Sequence, residues 1–379
     1  MQNILILTNI APNYRKPLWL KLLQTDSFNC SFAYGENLSI GIPQIRMKEF
    51  ENSSKSNQIQ RLKNIWLKNI ILFWQLGALA IILKSDYSVV VFLGECYCLS
   101  TWLSAIICRL KGARVVFWGH GIYGNESRLK LFLRKNFYRL AHQHLVYGRR
   151  AKRLMIALGF KAEDLFVVFN SLDYDRHKAM REQYRTLTKQ EVYPFFRNQC
   201  LPILLFIGRL TISKRLDILL HAANSINSKK PFLNLVVIGD GPEREKLEKL
   251  GQKGIAGKWL HFVGACYLEE KNGRYLSVSD LCVSPGNVGL TAIHSLSFGT
   301  PVCTHSNLNN QGPEAEAIVD GYNGFYFKEN DVADLIEGIK KWLLINPDRE
   351  LVRERCFRII DAYYNPDYQL SVFNRMVSS

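Results

Sequence analysis

Residues 284–302 read SPGNVGLTAIHSLSFGTPV. Ser284-Pro285-Gly286-Asn287 is turn chemistry, and Gly289 adds a second break. Leu290, Ile293 and Leu296 then recur at helical spacing until Gly299-Thr300-Pro301 stops the run. His294 lies one turn into that helix. The flanking stretches, DLCVSP (280–285) and PVCTHS (301–306), are short apolar runs bounded by turn signals, as strands are. A strand that breaks at glycines straight into a helix and returns as another strand predicts a parallel βαβ unit.

Outward from this stretch the same alternation fills the chain. The first half offers ILILTNI, SVVVFLGE, RVVFWGH, QHLVYG and LFVVFNS as strands, and the second PILLFIGRL, LNLVVIGDG and LHFVGA besides the two above. Continuous apolar strands joined by helices imply parallel sheets covered on both faces. We therefore expect an α/β protein of two doubly wound, Rossmann-like domains, with ligands beyond the carboxyl ends of the strands and a cleft where those ends face. A length of 379 residues suits two cores. The periodic pattern gives way to polar residues over 182–202, so the domains are set at 1–190 and 191–355. Residues 356–379 form a helical segment expected to pack back on the first domain.

Charge divides unevenly along this plan. Residues 1–160 hold 22 Lys and Arg against 7 Asp and Glu, whereas the rest hold 27 against 26. A basic half beside a neutral one suggests an anionic partner for the first domain. The stretch IILFWQLGALAIIL (70–83) is shorter than the roughly 20 apolar residues that span a bilayer, and is read as a core helix. RLKLFLRKNFYR (128–139) interleaves Leu and Phe with Arg and Lys, the pattern of an amphipathic helix able to meet acidic headgroups. The start, MQNILILTNI, reads as a buried strand and not as a signal peptide, and the nine scattered cysteines as free thiols. A cytoplasmic protein, held peripherally on the inner face of the plasma membrane, is the expectation. No nucleic-acid partner is expected, because the aromatics mostly sit inside apolar runs and not among the charges of a stacking surface; a basic nucleic-acid-binding protein is the weaker alternative.

The strand ends carry the chemistry. In LLFIGRLTISKRLDILL a strand ends at Gly208, Arg209 follows, and Lys214 precedes the next helix. A guanidinium and an ammonium at the mouth of a parallel sheet form a clamp for a diphosphate. LVVIGDGPE repeats the strand-to-glycine design. Neither a P-loop nor a GxGxxG fingerprint occurs. Asp173-x-Asp175 has a spacing common by chance, and no metal and no cofactor are expected.

Taken in order, GRLTISKRLDILL, VVIGDGPE, HFVG, DLCVSPGNVGLTAIHSLSFGTPV and EAEAIVDGYNGFYF resemble the donor half of the retaining nucleotide-sugar glycosyltransferases of group 1 (family 4), which have the two-domain GT-B fold. The match runs over about 200–342, with looser agreement at FWGHGIYG and VVFNSLDYD. The resemblance implies that Arg209 and Lys214 hold the diphosphate of a UDP- or GDP-sugar, that His120 lies beside the transferred sugar, and that the backbone at Gly208, Gly289 and Leu290 approaches the donor. It also implies transfer without a protein nucleophile, to a glycan acceptor, as in surface-polysaccharide assembly.

The family's acidic pair falls at Gly286 and His294, a departure. A neutral His294 can accept one hydrogen bond from a ribose hydroxyl, and Asn287 or Glu316 would have to replace the acid missing at Gly286. A chain that binds a nucleotide sugar without turning it over is the alternative. On the acceptor side, Asn9, Tyr14 and Arg15 follow the first strand and Glu95 ends another. Together with the basic half they suggest a lipid diphosphate-linked acceptor.

Overall fold

A computed structural model describes residues 1–36, 44–45, 58–67 and 71–379. It separates into two compact units, residues 1–173 with 365–379, and residues 174–364. The strands of unit 1 are β1 (Asn3–Thr8), β2 (Asn29–Tyr34), β3 (Ile59–Arg61), β4 (Lys63–Trp66), β5 (Phe73–Leu76), β6 (Val89–Leu93), β7 (Arg114–Gly119), β8 (Gln143–Val146) and β9 (Leu165–Val167). Seven of them form a parallel sheet in the order β3-β2-β1-β6-β7-β8-β9, and β4 and β5 pair antiparallel beside it.

Alternation along each strand builds two cores, because successive side chains point to opposite faces. Ile4, Ile6, Val89, Val91, Val116 and Trp118 share one face with Trp19, stacked on Phe32 at 4.4 Å, and with Val372, Phe373 and Met376 of the helix Pro366–Ser378. Leu5, Val90, Val115 and Phe117 face the other way, under the helices Ala78–Lys84, Leu99–Leu110 and Arg128–Tyr138. Residues 365–379 therefore belong to the first unit by burial.

Unit 2 carries β10 (Ile203–Ile207), β11 (Asn234–Ile238), β12 (Leu260–Gly264), β13 (Leu281–Ser284), β14 (Val302–His305) and β15 (Gly324–Phe327) in one parallel sheet, ordered β12-β11-β10-β13-β14-β15. Each unit is doubly wound, and the strand order reverses between β1 and β6 and between β10 and β13. Ligand crevices of open parallel sheets lie at such reversals.

Three expectations change. The chain divides after Asp173 and not near 190, because the helix Tyr174–Gln183 buries His177, Met180 and Arg181 within unit 2, where Arg181 forks onto Asp361 at 2.8 and 2.9 Å. The apolar run read as one helix is, within its described residues, the strand Phe73–Leu76, a left-handed Gly77 (φ 94°) and the helix Ala78–Lys84. Ile70 lies outside the described residues. The helix Arg128–Tyr138 does form, but Arg134 and Phe137 point inward, with Phe137 fully buried.

Candidate functional site

The second unit's reversal point is built from two glycine-rich turns that grip each other. Gly286 N–H donates to the Lys214 carbonyl at 3.1 Å, and Lys214 Nζ reaches back to the Asn287 carbonyl at 2.5 Å. The turns are so close that a Cβ on Gly286 would lie 2.0 Å from the Ser213 carbonyl oxygen. No side chain fits there. The acid that the family resemblance assigns to this position is therefore excluded by the backbone that carries Lys214. Gly289 is different: a Cβ there would meet Asn287 Oδ1 at 3.5 Å, an ordinary contact, but its φ of 53° lies in the left-handed region that favours glycine. Its value is conformational, turning the chain into the helix Thr291–Ser297 by way of Leu290.

Behind the turn stands a residue that sequence reading missed. Buried Gln311 accepts from Val288 N–H at 2.9 Å and donates to the Gly286 carbonyl at 3.1 Å and to Thr304 Oγ1 at 2.8 Å. Asn287 is tied by its amide to the Asn310 carbonyl at 3.2 Å. No motif signals Gln311, because its role depends on a loop 25 residues downstream of Gly286 folding under it.

The two cations of this turn differ. Arg209, directly after Gly208, is exposed, and its guanidinium makes no ion pair with a described residue. Burial lowers the Lys214 pKa, opposed by the carboxylate of Glu314. The acid that faces Lys214 electrostatically is thus buried Glu314. Glu316, the residue expected from sequence, acts on Tyr326.

His294 is engaged. Its Nε2 lies 2.7 Å from Glu269 Oε1, which His177 Nε2 also approaches at 3.0 Å. Burial works against ionisation of Glu269, but the two imidazoles outweigh it and hold the carboxyl well below its usual range. A ribose contact through His294 has only Nδ1 left to work with.

In unit 1 the predicted residues gather at the carboxyl ends of β1, β6, β7 and β8. Arg15 is buried, hydrogen-bonded to the Tyr147 hydroxyl, with its guanidinium 4.9 Å from the Trp118 ring and 5.6 Å from Tyr14. His120 follows β7, beside Tyr147 and Tyr123 at ring distances of 4.9 and 5.4 Å. The residue is exposed as a whole, yet burial of its imidazole, then Arg15 and Arg134, lower its pKa to about 4. It is neutral near pH 7, able to accept a proton or a hydrogen bond. Glu95 follows β6; burial raises its pKa, against the Tyr97 N–H and Arg134. Asn9 sits after β1, where its carbonyl accepts from Asn64 Nδ2 at 2.7 Å. Two further residues complete the cluster. Glu126 receives the N–H groups of Tyr123 and Gly124, both at 2.8 Å, and Arg134 donates to the Gly121 carbonyl at 2.8 Å while lying over the Tyr123 ring. They fix the glycine loop that carries His120.

Against solved structures the whole chain superposes on the GT-B proteins. The crystal structure of Anabaena HepE with UDP matches at TM-score 0.70 and 14% identity over 100% of both chains. The lipopolysaccharide outer core galactosyltransferase WaaB, in apo form, matches at 0.69 and 14% over 99% of both. What this likeness shows is the fold, two Rossmann-like units of the GT-B type. More narrowly, residues 194–356 match the model of the glycosyl transferases group 1 family. The sulfoquinovosyl transferase of Arabidopsis thaliana is 30% identical over 43% of this chain, a span that covers 30% of that relative's length. An uncharacterized glycosyltransferase of Methanocaldococcus jannaschii is 23% identical over 93% of this chain and 94% of its own.

Proposed function

We propose that this protein is a retaining glycosyltransferase that takes a sugar from a UDP- or GDP-sugar and passes it to a membrane-borne, lipid-linked glycan acceptor in cell-surface polysaccharide assembly. The observation that carries the donor half is the pair of interlocked turns at the β10/β13 reversal, with exposed Arg209 and half-buried Lys214. Such cations neutralise the charge that grows on a departing diphosphate, and a preorganised donor at such a place contributes about 3 kcal/mol to a transition state. The leaving phosphate can itself take the acceptor's proton on the same face, so no protein nucleophile is required. HepE has been solved with UDP and with UDP-glucose, which favours uridine.

The acceptor half rests on unit 1. The helix Leu99–Leu110 exposes Leu99, Leu103, Ile106 and Leu110, one apolar stripe at helical spacing. The neighbouring helix Arg128–Tyr138, joined to it through Trp102 against Phe137 at 5.0 Å, exposes Leu129, Phe132 and Leu133 among Arg128 and Lys130. An apolar stripe rimmed by cations suits an anionic lipid surface. Among the described residues no helix is long and apolar enough to cross a membrane. Two relatives, 30% and 25% identical over 38% and 34% of this chain, are the alpha-monoglucosyldiacylglycerol synthases of Streptococcus pneumoniae and Acholeplasma laidlawii, whose names specify a lipid product.

A thermal-shift screen against UDP, GDP, CMP and their sugars tests the donor assignment. Stabilisation by a uridine or guanosine diphosphate, lost in Arg209→Ala and Lys214→Ala, is expected. A shift unchanged in both variants removes the assignment. Turnover of the same UDP-sugar with a lipid-linked acceptor separates an active enzyme from a protein that only binds the donor.

A further inference from the structure

Three helices of unit 2 converge on one carboxylate. His177 comes from Tyr174–Gln183, Glu269 opens Glu269–Val278, and His294 comes from Thr291–Ser297. The ligand atoms of the three side chains all lie within 4.8 Å of one another. Glu269 Oε1 stands 2.7 Å from His294 Nε2 and 3.0 Å from His177 Nε2. The Phe298 ring closes one side, 5.1 Å from His177 and 5.6 Å from His294. From this geometry we infer that His177, Glu269 and His294 form a binding site for one Zn²⁺ per chain, which pins the three helices together.

Charge and ligand chemistry support the choice. Among the described residues Glu269 pairs with no lysine or arginine, whereas the neighbouring Glu270 already has Arg176 at 2.5 Å. The carboxylate is three-quarters covered, and the two imidazoles that face it bring no fixed positive charge. A divalent cation supplies it. Two imidazoles and a carboxylate are borderline donors that suit zinc, with water as a fourth ligand. Bonds of about 2.0–2.1 Å in a tetrahedron set ligand atoms roughly 3.3 Å apart, so the contacts to Glu269 at 2.7 and 3.0 Å would open slightly, and the two imidazoles, within 4.8 Å, would settle to the same spacing. Both rings would carry their proton on Nδ1, leaving the Nε2 lone pairs for the metal, and Glu269 would bind as carboxylate. This site lies one helical turn from Gly289, inside unit 2. It is separate from the diphosphate-binding cations, and it does not depend on the identity of the donor.

The test uses untagged full-length protein, stripped of metal with a chelator, loaded with ZnCl₂ and dialysed against metal-free buffer. Elemental analysis should find one Zn²⁺ per chain. CoCl₂ in its place should give the visible bands of four-coordinate cobalt without a thiolate charge-transfer band. Glu269→Ala and His177→Ala, checked for native circular dichroism, should lose metal affinity by more than the roughly 10–100-fold that changing an outer-sphere partner costs. Should either variant not fold, Glu269→Gln, which keeps the hydrogen bonds but not the charge, takes its place. The inference is overturned by sub-stoichiometric zinc in the wild type, by unchanged affinity in the folded variants, or by a cobalt–thiolate band, which would move the metal to Cys200 or Cys266.

Discussion

In unit 1 the guanidinium groups at the strand ends are consumed by the protein itself, Arg15 under Tyr147 and Trp118, and Arg134 on the Gly121 carbonyl and the Tyr123 ring. In unit 2, at the equivalent reversal of an equally parallel sheet, Arg209 is exposed and Lys214 touches a main-chain carbonyl. One topology thus serves two electrostatic purposes. Inward-held cations act on a neighbour, here adding to the burial that lowers the His120 pKa, whereas an exposed one such as Arg209 is open to an anion. On the proposed assignment, the basic excess of the N-terminal half does not mark the donor's phosphates.

The sharpest way to break this contrast is to disturb the turn that keeps Lys214 in place. Gly286→Glu, which restores the family's acid, forces the 213–214 backbone aside and should cost about 3 kcal/mol or more, with loss of UDP binding. Urea unfolding and calorimetry check both, and a stable variant that binds normally would show that the two turns are not interlocked.

Next in size is acid sensitivity, which should belong to unit 1. Burial lowers the pKa of His144 to about 3 from its ordinary 6.5. The unfolded chain then binds more protons than the fold between those values, so stability falls as pH drops below 6.5, by about 1.4 kcal/mol per pH unit. At pH 5 that is about 2 kcal/mol. His120 shifts the same way. His144→Phe, which keeps the aromatic packing against Phe117 and Phe160, should flatten the stability profile between pH 6.5 and 5.

Arg209→Ala and Arg15→Ala compare the two kinds of cation directly. The first should weaken UDP binding by about 1.5 kcal/mol, tenfold or more, at unchanged melting temperature. The second should lower the melting temperature and raise the His120 pKa, read by NMR, because a repelling charge is gone. Arginines that proved interchangeable in these assays would end the distinction.

The smallest effects are expected at the membrane face, at about 1 kcal/mol per basic residue near an anionic surface. Arg128→Glu and Lys130→Glu should reduce co-sedimentation with anionic vesicles at low salt, and Phe132→Ser should remove a salt-resistant part. Arg134 is no such test, since its side chain is only 13% exposed. Equal binding to neutral vesicles would refute the lipid reading.

What the sequence makes legible here follows from how local the signal is. Strands such as VVVFL and LVVI announce themselves by unbroken apolar runs, and the donor turns by glycines at their ends. β2, NCSFAY, mixes polar and apolar residues and has no such mark. The run at 70–83 hid its strand because apolar residues on every side erase periodicity; Phe73, Trp74 and the break at Gly77 were the available clues. Glu314, Gln311 and Arg134 act across loops or between elements, where spacing in the chain carries no information, whereas Glu126 binds N–H groups two and three residues before it in a loop that matches no motif. His294 was marked by its place in the helix, but its partner Glu269 lies 25 residues away.

The return of residues 365–379 to the first sheet also fixes an order of events during synthesis. Val372, Phe373 and Met376 complete a face that begins at Ile4, so that face stays open to water while all of residues 174–364 are being made. Domains commonly fold as units in the order of their synthesis. Here the second unit can be finished before the first, and a nascent chain arrested anywhere within it leaves Trp19, Phe32 and Trp118 uncovered, a substrate for chaperones.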